Sequence, residues 1–266
     1  MKGAVINTIV IIPARYDSTR FPGKPLADLN GRPMLWHVVS RAVLAKRPDQ
    51  VIVATEDQRI MDAVRSWGYN VTLTSSKHLT GSDRVAEVSA SQNAQGRLPS
   101  GLVVNLQGDL PLFLPDVLDR LIEEGGEWIS AGSADVVTLA AKIDSEDEIF
   151  SPHTVKLVRD GEGRVLYFSR SPIPYVEKGS SIIGSTTFFK HYGVYLYDRN
   201  FLLKMGKSQE GKLEKVERLE QLRFLEEGGR MRVVEISSEE AKYFCEVNLP
   251  EDLLKANAML LSERKG

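Results

Sequence analysis

The chain has 266 residues, 42% of them hydrophobic and 26% charged, and a formal net charge of −2. That is enough apolar material for one large or two small domains, and the near-neutral balance excludes a global basic field for nucleic acid. A single cysteine, Cys245, excludes an intrachain disulfide and any multi-cysteine metal site. No apolar run approaches the ~20 residues of a membrane span. The first residues lack a signal peptide's apolar core, so the chain reads as cytoplasmic, without membrane insertion.

The first strong element is Ile9-Val10-Ile11-Ile12, a β-branched run that fits a strand buried on both faces. It breaks at Pro13 into a loop carrying Arg15, Arg20 and Lys24, with Ser18 and Thr19 between them. Pro33 opens a helix through about Ala45, with Trp36, Val39 and Val43 at helical spacing. Strands follow at Val51–Thr55, Asn70–Thr74 and Leu102–Leu106. Helices are expected at Gln58–Trp67, from Gly81 to about Ser91, and at Pro115–Glu124. This alternation predicts βαβ units and a doubly wound, mostly parallel sheet. The second half has fewer helices. Strands are expected at Asp135–Ile143, Val155–Arg159, Arg164–Ser169 and Tyr192–Tyr197. A long loop over 171–190 has the length of a functional or mobile segment. Leu213–Glu226 reads as one helix and Met231–Ile236 as a strand. A last helix runs from Asn248 to about Glu263, with Asn248 and Glu251 at capping-box spacing. The whole is a three-layer α/β fold over 1–266, with a small β-rich subdomain packed on the first sheet.

Several groups of residues carry chemistry. Arg15, Arg20 and Lys24 follow the first strand, where open α/β sheets bind ligands, and two guanidinium forks plus an ammonium suit a polyphosphate. Neither GxGxxG nor GxxxxGK[ST] follows that strand, which disfavours a dinucleotide site and a P-loop. Gln107-Gly108-Asp109 ends a buried strand. Its carboxylate suits Mg²⁺, which uses few protein ligands, but an ordinary Gly-Asp turn reads the same way. His78 with Gly81-Ser82-Asp83-Arg84 suits base or ribose contact, or helix capping alone. Arg170 could clamp a carboxylate. His191, Glu220 and Gln221 by themselves read as structural or solvated.

The stretches IIPARYDSTRFPGKPL, GSDRVAEV, VVNLQGD, VKLVRDGEGRVLYFSRSPIP, HYGVYLY, LEQLRFLEEG and VNLPEDL, in that order, resemble the 3-deoxy-manno-octulosonate cytidylyltransferases, or CMP-Kdo synthetases. The likeness spans about residues 8–256. It implies transfer of CMP from CTP to the anomeric hydroxyl of an eight-carbon 2-keto sugar acid for lipopolysaccharide, with pyrophosphate released. By that likeness, residues 8–130 form a nucleotide-binding half and 131–250 a sugar-acid-binding and dimerisation half of a homodimer. Arg15, Lys24 and Asp109 would be catalytic. Pro13, Ala14, Arg15, Lys24, His78, Gly81, Ser82 and Arg84 would bind the nucleotide. Arg20, Gln107, Arg170, His191, Tyr195, Glu220 and Gln221 would bind the acid, and Asp109 with position 248 would hold Mg²⁺.

The chain departs from the family pattern twice. Asn248 stands where the family has the second metal aspartate, and Leu110-Pro111 stands where it has Glu-Pro. These departures keep open a modified acceptor, such as an 8-amino acid, a catalytically weak nucleotide- or sugar-binding paralogue, and transfer to another acceptor. Glu246 is a substitute carboxylate by type, but strand alternation would turn it away.

Overall fold

The computed structural model describes residues 7–17, 20–78, 80–94, 101–175 and 187–263. Ser18, Thr19 and residues 176–186 of the expected long loop lie outside the described residues. In the first half, β1 (Asn7–Ala14) leads through a 3₁₀ turn to a small hairpin, β2 (Asp28–Leu29) and β3 (Arg32–Pro33). Then come α1 (Met34–Leu44), β4 (Gln50–Thr55), α2 (Gln58–Ser66), β5 (Val71–Leu73), α3 (Gly81–Ala94), β6 (Gly101–Asn105) and α4 (Pro115–Ser130). The second half begins β7 (Val136–Lys142), α5 (Glu146–Phe150), β8 (Lys156–Arg159), β9 (Val165–Ser169) and β10 (Phe189–Asp198). It ends α6 (Arg199–Met205), α7 (Lys212–Glu217), α8 (Gln221–Glu226), β11 (Met231–Ile236), α9 (Ser238–Ala241) and α10 (Pro250–Glu263).

One nine-stranded sheet runs through both halves, with its main path in the order β11-β7-β10-β6-β1-β4-β5 and the β8-β9 pair attached to β10. Six of the seven path strands point the same way, and β10 runs against its neighbours β6 and β7. The run Ile9–Ile12 explains the layers. Val10 and Ile12 pack with α1, α2 and α4 on one face, while Ile9 and Ile11 pack with α3, α6 and α8 on the other. Burying each such side chain contributes roughly 1.5–3 kcal/mol. The result is the expected three-layer α/β fold.

Several boundaries differ from expectation. The buried stripe of α1 is Leu35, Val38, Val39 and Ala42, and Val43 is half exposed, because the helix turns its 35/38/42 row to the sheet. Helix α4 continues through Gly125-Gly126 to Ser130. A Cβ on Gly125 would lie 2.7 Å from Leu196 Cδ2, so these glycines mark where the helix meets the sheet rather than where it stops. The expected single helix over 213–226 is two, broken at Arg218, which adopts a left-handed φ of 55°. The last helix starts at Pro250, and its capping pair is not Asn248 with Glu251. The Asp252 carboxylate accepts from the N–H groups of Asn248 (3.0 Å) and Leu249 (2.9 Å).

Candidate active site

The chain runs from β1 out to β4 and β5, then returns with β6 to the other side of β1. The carboxyl ends of β1 and β6 therefore flank a topological switch point, the place where such sheets hold ligands. A cavity of about 450 Å³ lies there. Pro13, Ala14, Arg15, Arg20, Lys24, Gly81, Gln107 and Asp109 all line it. The two lips meet closely, since a Cβ on Gly108 would stand 2.7 Å from the Pro13 carbonyl oxygen.

Lys24 joins three parts of the chain. Its Nζ donates to Asp109 Oδ2 and to the Val247 carbonyl, each at 2.8 Å. Val247 N–H in turn donates to the Asp109 carbonyl at 2.9 Å. Arg15 donates to the His78 carbonyl, and the His78 ring bonds the Glu87 carboxylate. Helix α3 opens at this cavity. Thr80 and Asp83 cap it reciprocally, Asp83 N–H to Thr80 Oγ1 at 3.2 Å and Thr80 N–H to Asp83 Oδ2 at 3.3 Å. A helix N-terminus beside two guanidinium groups and an ammonium favours an anion.

A second cavity of about 660 Å³ adjoins the first, and Arg20 lines both. Arg170, His191, Gln221 and Asn248 line it too. Arg170 Nε donates to the Glu217 carbonyl and Nη1 to the Pro152 carbonyl, both at 3.0 Å. These acceptors are neutral, so they orient the fork without neutralising it. His191 packs between Phe168 and Tyr195, and burial holds its pKa down to about 3. The Thr138 hydroxyl is directed at the Tyr192 and Val194 carbonyls, so at 3.0 Å it accepts from His191 Nε2–H. That fixes the neutral tautomer with Nδ1 as acceptor.

Asn248 stands between a cation and an anion. Its Oδ1 accepts from Arg20 Nη2 at 3.0 Å, and its Nδ2 donates to Glu246 Oε2 at 3.1 Å. Glu246 does not turn away. Residues 243–248 carry no strand, so alternation does not apply, and Glu246 lines the second cavity. Burial first, and the negative charge of Asp109 second, push its carboxyl pKa up.

Five of the expected site residues line neither cavity. Ser82 is buried and bonds Tyr197 at 3.1 Å and Glu220 Oε1 at 2.9 Å. Glu220 is thereby turned to this network, where burial raises its pKa, and it lines neither cavity. Arg84 is 1% exposed and paired with Glu56 at 2.6 Å. Tyr195 is buried in an aromatic stack with Tyr197 and Phe224. His78 reaches the first cavity only through Arg15. Conversely, Lys190 and Asp252 line the second cavity unannounced, beside Glu246, which was expected to turn away. Of the first two, Asp252, in the capping position of the last helix, carried a usable sequence signal.

Among the described residues no group of three or more His, Cys, Asp and Glu side chains could cage a metal. Magnesium needs no such cage, because it keeps waters and takes few protein oxygens. Asp109, 23% exposed beside the anion cavity, is a donor of that kind, and Asn248 follows Val247, whose N–H bonds the Asp109 carbonyl. The residues fit such an ion.

A switch-point crevice with side-chain cations and no P-loop, beside a second cavity lined by an arginine, suits a nucleotidyltransferase, and comparison with known proteins shows that class. Residues 9–236 match the cytidylyltransferase family model. The chain is 44% identical to the 3-deoxy-manno-octulosonate cytidylyltransferase of Geobacter metallireducens, covering 92% of this chain and 94% of that one. It is 42% identical to the enzyme of the same name from Geobacter sulfurreducens, over 94% and 98%. A solved structure described as CMP:2-keto-3-deoxy-manno-octonic acid synthetase complexed with CTP superposes with a TM-score of 0.85 at 34% identity, covering 97% of this chain and 99% of that one. The chain belongs to the 3-deoxy-manno-octulosonate cytidylyltransferase family.

Proposed function

We propose that the protein transfers the cytidylyl group of CTP to the anomeric hydroxyl of a 3-deoxy-2-keto sugar acid, either Kdo or an amino-substituted form. The observation that carries this reading is the pair of adjoining cavities joined by Arg20. One is lined by Arg15, Lys24 and Asp109, the other by Arg170 with its charge unspent. In the reaction the acceptor hydroxyl oxygen bonds to the α-phosphorus, and the bond from that phosphorus to pyrophosphate breaks. Such transfer depends on positioning and charge stabilisation rather than on a covalent nucleophile. Arg15 and Lys24 hold the triphosphate and take up charge developing on the departing pyrophosphate. Gln107, Gln221 and the neutral His191 orient acceptor hydroxyls, and Arg170 receives the carboxylate. Asp109 and Asn248 would hold Mg²⁺, which would supply positive charge to offset that of the triphosphate.

The reading extends to a role in lipopolysaccharide synthesis, a cytoplasmic location and a homodimer. The family relationship supports the first. CTP as substrate and the single cysteine support the second, and exposed apolar side chains in the second half support the third. No helix among the described residues is long and apolar enough to cross a membrane. The engaged Asn248 favours one alternative, a paralogue that binds CTP but turns it over weakly.

The test is pyrophosphate release from CTP with Kdo, 8-amino-Kdo and a nonulosonic acid, with Mg²⁺ and with a chelator. Turnover of one eight-carbon acid, lost on chelation, is expected. Tight CTP binding by calorimetry without turnover of any acid would select the weak paralogue.

A further inference from the structure

Lys156, at the start of β8, has no exposed surface yet carries an ammonium group. Its Nζ donates to the carbonyl oxygens of Arg170 at 2.5 Å, Thr154 at 2.6 Å and Ser151 at 2.7 Å. Three donors are all that a lysine has. Among the described residues no acidic side chain pairs with it. Burial first, and the Arg170 charge second, pull its pKa below the ordinary lysine value. The Glu217 carboxylate opposes this in part without forming an ion pair, and a buried charge without a bonded counter-ion is destabilising by itself. It lies behind the wall of the second cavity, bonded to the carbonyls of Thr154 and Arg170, two residues that line it, and this position suggests a role for it.

The three carbonyls come from two segments. Ser151 and Thr154 belong to the loop between α5 and β8, and Arg170 follows β9. His153, Thr154 and Arg170 line the second cavity. The Arg170 fork then reaches back to Pro152 in the same loop. Lys156 thus ties the two segments from behind, at the residue whose guanidinium faces the cavity. Both cations donate to neutral carbonyls and neither forms an ion pair among the described residues, so an incoming carboxylate meets two positive charges that Glu217 offsets only in part.

We infer that Lys156 is a positioning residue for the acceptor acid, setting Arg170 and the 151–154 loop where the carboxylate docks and strengthening that docking with its own charge. The inference rests on the sugar-acid reading of the second cavity. Steady-state kinetics with Kdo and CTP varied separately test it, on the native chain, Lys156→Met, Arg170→Ala and the double variant, with thermal melting alongside. Lys156→Met should raise KM for Kdo about tenfold or more and leave KM for CTP within about twofold. In the Arg170→Ala background the same change should add less than about threefold, because the two act as one unit. A merely structural lysine would lower the melting temperature with the ratio of the two KM values unchanged. That result, or both KM values rising together, overturns the inference. If Lys156→Met does not fold, Lys156→Arg decides. It keeps the charge but spreads the donors into a planar fork, so a raised KM for Kdo alone supports the inference and an unchanged one overturns it. Absence of native turnover with any acid would instead remove the function proposed above.

Discussion

At Asn248 one side chain spans Arg20 and Glu246, accepting from the first and donating to the second. An aspartate there would keep the Arg20 bond in charge-assisted form and add negative charge near Asp109, while losing the donor to Glu246. Asn248→Asp should therefore lower the Mg²⁺ concentration for half-maximal pyrophosphate release several-fold. No change would mean that Asp109 suffices. His191 gives a pH prediction. Its pKa lies near 3 folded and near 6.5 unfolded, so the unfolded chain binds more protons between those values and stability falls as pH falls below about 6.5. From pH 6.5 to 5 the loss is about 2 kcal/mol. Urea unfolding at the two pH values should show it, and His191→Gln should remove that component. Gly108→Ala would push a methyl group against the Pro13 carbonyl. It should cost about 1–3 kcal/mol of stability and weaken CTP binding together. At this scale the sequence was half legible. Cations after β1 and a carboxylate after β6 follow from position alone. Ser82, Arg84 and Glu220 lie in buried networks away from both cavities, because polar residues on α3 or at the start of α8 can face either the cavity or a buried network, and only packing decides which.

The elements show the same division. Alternating apolar runs and helical spacing placed most strands and helices of the first half within a few residues. The break at Arg218 had no signal, since LEKVERLEQLRFLE contains neither Gly nor Pro and its periodicity is continuous. Tertiary bonds impose it. Glu217 accepts from Ser169 Oγ at 2.6 Å and Arg170 N–H at 2.9 Å, while Glu220, three residues on, turns to Ser82. Arg218→Gly should be neutral to stabilising by up to about 1 kcal/mol in thermal melts, and Arg218→Val destabilising, because a β-branched residue resists that backbone conformation. Asp252→Ala removes the acceptor for two N–H groups at the start of α10. About 1 kcal/mol of stability should go with it, and Kdo binding should weaken because Asp252 also lines that cavity.

For the molecule as a whole, alternation predicted a doubly wound sheet but not its strand order. Nothing in the sequence says that β10 lies between β6 and β7, since that pairing is long-range and its register is set by packing. Leu166 (58% exposed) and Val216 (82% exposed) leave apolar surface in the second half. Light scattering at micromolar concentration should give about twice the chain mass of 29.6 kDa, and Leu166→Glu with Val216→Glu should shift it toward one chain.

The Lys24 latch also bears on the order of synthesis. Its second acceptor, the Val247 carbonyl, lies near the carboxyl end of the chain, 223 positions after the lysine. On the ribosome β1, β4, β5 and β6 can pair as soon as they emerge. The strands β7 and β11 can dock only after β10 arrives to bridge them to β6. The nucleotide crevice therefore has its floor early and its far wall last. A nascent chain stalled before Val247 would hold a largely paired sheet with an open, unlatched cation loop, so a CTP analogue should stabilise released full-length protein and not the stalled chain.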